Sequence, residues 1–451
     1  MKVIIVGCGR VGNNLAEKLN NDGNEVTVID MQASKVREIT SRFDVMGIIG
    51  NGATPNTLRE AGIKNTDLFI AVTNSDELNL LCCMIAKKEG ECQTIARVKN
   101  PEYSTESAYL KEELGLAMVI NPEYEAAQEI ARVLRFPAAI KIEPFAGGRV
   151  ELIKFKLAAD SPIVGLSIKE VMMKYHADVL VATIERGEEA YIANGDFVFA
   201  DKDVVSIVAS PKNAHDFFST IRCKGHSIKD ALVVGGGVIT RYLCEILEKS
   251  SLALKIIEKD REVCDELAGL FPKFNIIHGK PTDKELLTEE GLARTGAFVA
   301  LAQQDEENVL LSLFAQDVAS GKLITKINRT DYDSVISRLD LDTTICPINI
   351  TSDQILRYAR STQSTSGSNI ETLYNIIPGQ VEATEFIIKE NSPIIGKPLW
   401  ELKFKENVLV GAIYRNKQVI VPRGNDVIEA GDAVVIISKK LGITDVAEIL
   451  R

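Results

Sequence analysis

Two short stretches of this chain carry what is needed to hold a pyrophosphate against the backbone. The first is Lys2-Val3-Ile4-Ile5-Val6-Gly7-Cys8-Gly9-Arg10-Val11-Gly12; the second is Asp230-Ala231-Leu232-Val233-Val234-Gly235-Gly236-Gly237-Val238-Ile239-Thr240. In each, an apolar strand runs into a glycine turn that opens a helix. The first glycine makes the turn, the second clears space for the phosphate, and the third lets helix pack on strand, so the phosphate sits on the helix N-terminal amides. A carboxylate closes each unit: Asp30 stands 23 residues beyond Gly7, and Glu258 stands 23 beyond Gly235. That spacing puts an acid on an adenosine ribose. Its charge disfavours a 2′-phosphate, so NAD(H) is expected over NADP(H).

Other polar residues fall at the carboxyl edge of the predicted sheet, where ligands of open α/β sheets bind. Thr73 and Asn74 follow the fourth strand, and Asn51 and Gly52 follow the third and border the adenine. Arg97 stands alone between Ala96 and Val98 on the fifth strand. A buried arginine needs an anion; a dinucleotide phosphate and a local acid such as Asp76 or Glu77 serve equally. The second copy departs from the pattern: Thr240 replaces the third glycine, and Val238 stands where Arg10 stands in the first. A side chain at 240 is expected to push the helix off the strand unless the backbone adjusts. The second turn therefore binds more weakly, takes a different adenine nucleotide, or stands empty. The four histidines are isolated, and no zinc pattern, P-loop or nucleophile elbow appears.

The elements that position these residues also occur twice. Ala71-Val72-Thr73-Asn74-Ser75-Asp76-Glu77 matches Ala300-Leu301-Ala302-Gln303-Gln304-Asp305-Glu306, and Asn79 matches Asn308. Further on, Ser161-Pro162-Ile163-Val164-Gly165 answers Ser392-Pro393-Ile394-Ile395-Gly396, and Asp203-Val204-Val205 answers Asp432-Ala433-Val434. The first half alternates strands (Lys2–Val6, Glu25–Ile29, Val45–Ile49, Asp67–Val72, Thr94–Val98, Ala117–Ile120) with helices that include Glu77–Glu89, Pro101–Glu113 and Pro122–Leu134. Such alternation predicts a parallel sheet covered on both faces. The fold class is α/β: two Rossmann-like domains, 1–135 and 229–360, each followed by a small α+β lobe, 140–222 and 370–451. Ser361–Asn369, rich in Ser, Thr and Gly, reads as an exposed linker.

Composition narrows the class further. The chain has 451 residues, 45% of them hydrophobic, enough for several cores, and a net charge of −11. That charge argues against a general nucleic-acid surface and against adhesion to anionic lipid. No apolar run approaches the roughly 20 residues of a membrane helix, and the N-terminus reads as strand one rather than a signal peptide. Eight scattered cysteines without a Cys-x-x-Cys read as core fillers of a reduced, cytosolic protein.

These residues in this order resemble the TrkA family, NAD-binding peripheral subunits of Trk-type potassium uptake systems built from tandem RCK (KTN) domains. The resemblance rests on Gly7-Cys8-Gly9-Arg10-Val11-Gly12, Asp30, the Ala71–Glu77 edge, Ala96-Arg97-Val98 and the repeated Pro-x-x-Gly lobes, and it covers nearly the whole chain. It implies regulation by binding rather than catalysis: nucleotide changes the angle between paired Rossmann domains, and a separate membrane potassium channel or transporter subunit responds. By position it implies that Gly7 to Val11, Asp30, Thr73, Asn74 and Arg97 hold NAD(H), with ATP or ADP as alternatives. Gly235, Gly236, Gly237, Val238, Ile239 and Glu258 would do so in the second half. Relatives form rings of eight such domains, which implies a homotetramer lying at the inner face of the cell membrane through its partner, with no lipid insertion of its own.

The rival is an NAD-dependent dehydrogenase, which needs an acid or base beside the nicotinamide and a substrate pocket; the sequence offers no convincing His, Lys or Tyr. A third reading makes the lobes receptors for another small ligand, a cyclic dinucleotide or a metal ion.

Overall fold

A computed structural model describes residues 1–451 except 102, 104–106, 188, 222–227, 329–338, 340, 364–368, 378, 440–441 and 444. The apolar runs of the first half form six strands: β1 (Lys2–Val6), β2 (Glu25–Asp30), β3 (Met46–Ile49), β4 (Leu68–Ala71), β5 (Gln93–Arg97) and β6 (Met118–Ile120). Between and after them lie α1 (Arg10–Asn21), α2 (Ala33–Arg42), α3 (Pro55–Glu60), α4 (Asp76–Glu89), α5 (Ser107–Glu113) and α6 (Pro122–Arg135). All pairings are parallel, in the order β3-β2-β1-β4-β5-β6. Strand order reverses beside β1, which opens a crevice at its carboxyl end. The register pairs Val6 with both Ile29 and Ala71, so Gly7, Asp30 and Val72 emerge side by side, with Thr73 next along.

The first lobe is an antiparallel sheet of β7 (Ala139–Phe145), β8 (Val150–Lys156), β9 (Leu180–Arg186), β10 (Glu189–Ile192) and β11 (Val204–Ala209), with helices α7 (Ile168–Tyr175) and α8 (Pro211–Thr220). The Rossmann pattern then repeats. Its strands are β12 (Asp230–Val234), β13 (Ala253–Glu258), β14 (Asn275–His278), β15 (Ala297–Ala300), β16 (Lys322–Lys326) and β17 (Thr343–Ile345). Its helices are α9 (Val238–Leu247), α10 (Arg261–Leu270), α11 (Lys284–Glu289), α12 (Asp305–Val318) and α13 (Pro347–Gln363). The second lobe comprises β18 (Asn369–Ile377), β19 (Val381–Ile387), β20 (Val408–Arg415), β21 (Gln418–Ile420) and β22 (Ala433–Ser438). The two Rossmann sheets share one strand order, and the lobe orders, β10-β9-β11-β8-β7 and β18-β19-β22-β20-β21, are the same topology written from opposite edges.

Two sequence expectations are revised here. Ser361 to Gln363 belong to α13 rather than to a linker, because the Thr362 hydroxyl donates back to the Tyr358 carbonyl (2.9 Å) and continues the helix; residues 364–368 lie outside the described residues. Of the helix expected over Pro101–Glu113, Ser107–Glu113 forms α5, and 102 and 104–106 lie outside the described residues.

The chain gathers into two units that each draw on both halves. Met1–Ala131 and Lys229–Leu356, the two Rossmann domains, make one; Arg132–Ile228 and Arg357–Arg451, the two lobes, make the other. Within the lobe unit, one apolar cluster joins Phe145, Leu152 and Val208 to Tyr374, Val381 and Ile437, so the two sheets share a core. Tyr374 lies edge-on to Phe145 (centroids 5.0 Å apart) and donates its hydroxyl to the Pro144 carbonyl at 3.0 Å. The repeated Asp203 and Asp432 are buried anchors. Asp203 accepts from Arg186 Nε and Nη2 and from the Ala200 amide, each at 2.8 Å; Asp432 takes the same bonds from Arg415 and the Glu429 amide. Both carboxylates are almost wholly shielded from water, so these charge-assisted bonds satisfy them.

Removing one such anchor leaves three donors without their acceptor. Asp203→Ala is expected to lower stability by about 1.5–3 kcal/mol, read as a reduced urea midpoint of the lobe transition; an unchanged midpoint would show that the pair contributes only at the surface.

Candidate nucleotide site

In both halves the strand ends in a glycine that L side chains cannot easily replace: Gly7 has φ +104° and Gly235 φ +102°. A Cβ on Gly7 would lie 2.9 Å from the Thr73 amide nitrogen, and one on Gly12 would lie 1.9 Å from the Gly7 carbonyl oxygen. The turn therefore presses directly on the end of β4 and on the first turn of α1. Gly9 differs, because a Cβ there would meet nothing within 4 Å, and the same is true of Gly237. That open side is the cradle a phosphate fills. Neither α1 nor α9 has a side-chain cap at its N-terminus, so their first amides have no side-chain acceptor and face the same space.

The carboxylates are held ready by the turns they serve. Asp30 accepts the Cys8 amide on Oδ2 and the Gln32 amide on Oδ1, both at 2.8 Å. Glu258 accepts the Gly236 amide at 2.6 Å and the Asp260 amide at 2.8 Å. Each oxygen keeps a lone pair for a ribose hydroxyl. The Cys8 thiol, between turn and acid, is pushed up to about 12, first by burial and then by Asp30. It stays neutral near pH 7 and supplies no thiolate.

Two cavities meet at Gly9. One of about 250 Å³ is lined by Gly7, Gly9, Asp30, Asn51, Gly52, Thr73 and Asn74 among others. The other, about 390 Å³, is lined by Cys8, Gly9, Arg10, Asn13, Asn14 and Lys35, and also by Asn328 and Ile348 from the second Rossmann domain. Val11 and Gly12 lie buried in the first turn of α1 and serve its packing. Asn51 shapes its loop by accepting the Ala53 amide (2.9 Å), and Gly52 lies so close to Val6 that a Cβ would come within 2.4 Å. Thr73 gives both its hydroxyl (2.7 Å) and its amide (2.8 Å) to Asn79 Oδ1.

Asn79 is a residue that motif reasoning passed over. It is fully buried and reaches from Thr73 to the Arg97 carbonyl (2.9 Å), tying together the carboxyl ends of β4 and β5. Its repeat partner Asn308 was the available signal. In the second half Ala302 stands in place of Thr73: Asn308 still donates to the Ala302 and Lys326 carbonyls, each at 3.0 Å, but its own Oδ1 finds no donor.

Arg97 meets a local acid. It pairs with Glu123 at 3.1 Å rather than with Asp76 or Glu77. Asp76 is engaged by the Lys99 and Asn100 amides, and Glu77 bonds to Ser75 and Tyr103. The adjoining edge strand β6 pairs Arg97 with Ile120, and this brings the first turn of α6 within reach. Glu123 also acts on Lys326, the counterpart of Arg97, whose ammonium is lowered by burial and held up in part by Asp305 and Glu123.

The second turn engages its substituted side chain in a hydrogen bond. Thr240 is fully buried and donates its hydroxyl to the Gly235 carbonyl at 2.5 Å, the group that the third glycine would otherwise approach. Gly236 packs on the Glu258 stem, Ile239 is buried, and Val238 is 42% exposed where Arg10 stands in the first half. A cavity of about 570 Å³ at the second sheet's edge is lined by Lys259, Lys284, Gln303, Gln304, Leu310 and Phe314 among others. Its walls differ in charge and shape from those at Asp30. Among the described residues no group of His, Cys, Asp and Glu is placed to hold a metal ion, and no helix is long and apolar enough to cross a membrane.

Comparison with known proteins follows the same division. The TrkA-N domain matches residues 3–122 and 231–347, and the TrkA-C domain matches 152–222 and 383–451. The Trk system potassium uptake protein TrkA homolog 1 of Methanosarcina mazei is 32% identical over 460 residues, covering 100% of both chains. The Trk system potassium uptake protein TrkA of Halomonas elongata is 31% identical, covering 100% of this chain and 99% of its own. Among solved structures, the GsuK channel bound to NAD has a TM-score of 0.64 at 13% identity, covering 97% of this chain and 77% of that one. The GsuK RCK domain gives 0.63 at 13% identity, covering 97% and 92%. At such identity these two structures establish the fold alone.

Because both units mix residues of the two halves, the halves are best compared by point variants of the whole chain. Asp30→Ala should weaken NAD binding about ten- to a hundredfold, the loss of charge-assisted bonds of roughly 1.5–3 kcal/mol. Glu258→Ala should change the calorimetric affinity for NAD less. Equal losses at the two positions would mean that the departures at Val238, Thr240 and Ala302 do not matter.

Proposed function

The chain belongs to the TrkA family of Trk-system potassium uptake proteins, and from that premise we propose that it is the nucleotide-responsive regulatory subunit of a membrane potassium channel or transporter. In this reading NAD(H), with ATP or ADP as alternatives, sits on the first glycine turn. Gly7, Cys8, Gly9, Arg10 and Val11 line its phosphates, Asp30 takes the ribose, and Asn51, Gly52, Thr73 and Asn74 border the rest. The observation that carries the proposal is the cavity beside Gly9, lined by Arg10 from one Rossmann domain and Asn328 and Ile348 from the other. A ligand there meets both domains at once. If it binds one relative arrangement better than another, it shifts their equilibrium; a difference of roughly 1–3 kcal/mol changes populations about 5–150-fold.

The second half takes nucleotide more weakly or with a different preference, through Gly235, Gly236, Gly237, Val238, Ile239 and Glu258, since lysines line its outer cavity. A homotetramer supplies a closed ring of eight Rossmann domains. Exposed apolar side chains recur at matched places on α4 (Leu81, 44%) and α12 (Leu310, 68%), which suits packing between copies. The partner is a Trk-type membrane subunit, as the relatives' names imply, and the protein works at the cytoplasmic face without inserting in lipid. The dehydrogenase alternative would need an acid or base at the nicotinamide, and the neutral Cys8 thiol does not serve.

Co-reconstitution of the chain with its potassium transporter subunit in liposomes should give potassium flux that changes several-fold on adding NAD, NADH, ATP or ADP. Steady NAD reduction with a small alcohol or hydroxy acid, and flux indifferent to nucleotide, would reverse the assignment.

A further inference from the structure

The two Rossmann domains meet through matched elements, yet the matched contacts are chemically unlike. Tyr242 is the fifth residue of α9, and Asn14 is the fifth of α1; Tyr124 is the third of α6, and Asn349 is the third of α13. Tyr242 therefore meets Tyr124 as Asn14 meets Asn349, an arrangement a two-fold relation produces.

On one side the contact is buried and anchored. Tyr242 is 2% exposed and lies edge-on to Tyr124, with ring centroids 5.3 Å apart and planes at 75°. Its hydroxyl accepts from Asn121 Nδ2 at 2.8 Å and donates to the Lys99 carbonyl at 3.1 Å. Glu123, between Asn121 and Tyr124, faces Lys326 as well as Arg97. The second domain thus meets the start of α6 at Asn121, Glu123 and Tyr124.

The other side is polar and only partly buried. Asn14 donates to Asn349 at 3.4 Å, and Lys18 pairs with Asp353 at 2.6 Å where both side chains reach solvent. An exposed ion pair of this kind contributes at most about 1 kcal/mol. The 390 Å³ cavity next to the first glycine turn lies along this seam, with Asn14 on one wall and Ile348 on the other.

We propose that Tyr242 is the pivot about which the two Rossmann domains turn, and that the seam between α1 and α13 is the edge that moves when nucleotide fills the first site. Tyr242 is a positioning residue and touches no ligand. This inference rests on the nucleotide reading above and adds which side yields. It also names a route outward: α6, held by Tyr242, is the helix along which the chain leaves the Rossmann unit after Ala131.

The test is hydrogen exchange by mass spectrometry on the full chain, with NAD as the probe and calorimetry as the measure of binding. NAD should alter exchange in residues 350–358 of α13 at least fivefold and leave 238–247 and 121–126 within twofold. Tyr242→Phe keeps the ring and removes both hydroxyl bonds. It should bind NAD within twofold of the parent, yet exchange about tenfold faster in 121–126, the amount expected from losing one or two buried bonds. Asn14→Ala, at the matched place, should change exchange in 350–358 of the free protein less than twofold. If NAD binds but alters 121–126 as much as 350–358, or if Tyr242→Phe leaves 121–126 unchanged, the pivot is wrong while the nucleotide site stands. If calorimetry finds no NAD binding, the nucleotide reading falls and the moving edge falls with it.

Discussion

Everything at the candidate site depends on how closely the first helix turn approaches the glycine carbonyl before it. At Gly12 there is no room for even one carbon atom against the Gly7 oxygen. Strand, turn and helix are therefore locked in a single orientation, and the amides of α1, the Asp30 carboxylate and the Thr73 hydroxyl converge on one space. The second copy meets the same constraint by a different route, turning a threonine hydroxyl onto that carbonyl. The turn keeps its positive-φ glycine without the third one, but the surrounding donors do not all survive with it. Asn308 is left with an unmatched oxygen where Thr73 supplies two donors in the first copy.

This pairing of a conserved frame with unequal fittings runs through the molecule. Both sheets have one topology, both lobes hold a buried Asp–Arg pair, and both Rossmann domains present the same helices to each other. The fittings differ at Arg10 and Val238, at Asn14 and Tyr242, and at Glu123 and Ile348. A duplicated unit with identical fittings would respond equally on both sides. Here one side is tied by buried aromatic contacts and the other by partly buried and exposed polar ones, so a ligand acts on an interface that is already lopsided.

Much of this was readable in the chain because backbone geometry dictates residue type. A positive φ demands glycine, a parallel strand buried on both faces demands an apolar run, and a ribose at the second strand's end asks for an acid. The six strands, the two turns, Asp30 and Glu258 follow from those local rules. What stayed hidden depends on distant residues. Nothing near Tyr242 signals a partner at Asn121, and Arg97 finds Glu123 through the register of an edge strand, passing over the nearer Asp76 and Glu77. At Thr240 size alone left out the hydroxyl, which bonds the very group it crowds.

The chain passes between its two units three times, near residues 131, 228 and 356. Neither unit can close until the second half exists. During synthesis, at about 5–20 residues per second, the first lobe must wait tens of seconds with Phe145, Leu152 and Val208 uncovered, since the side chains that bury them begin at Tyr374. A nascent first half is thus a sticky intermediate, and another nascent first half on the same message offers it the wrong match. Duplication within one chain gives each lobe a tethered mate of the right kind, and it makes the timing of translation part of how the protein reaches its fold.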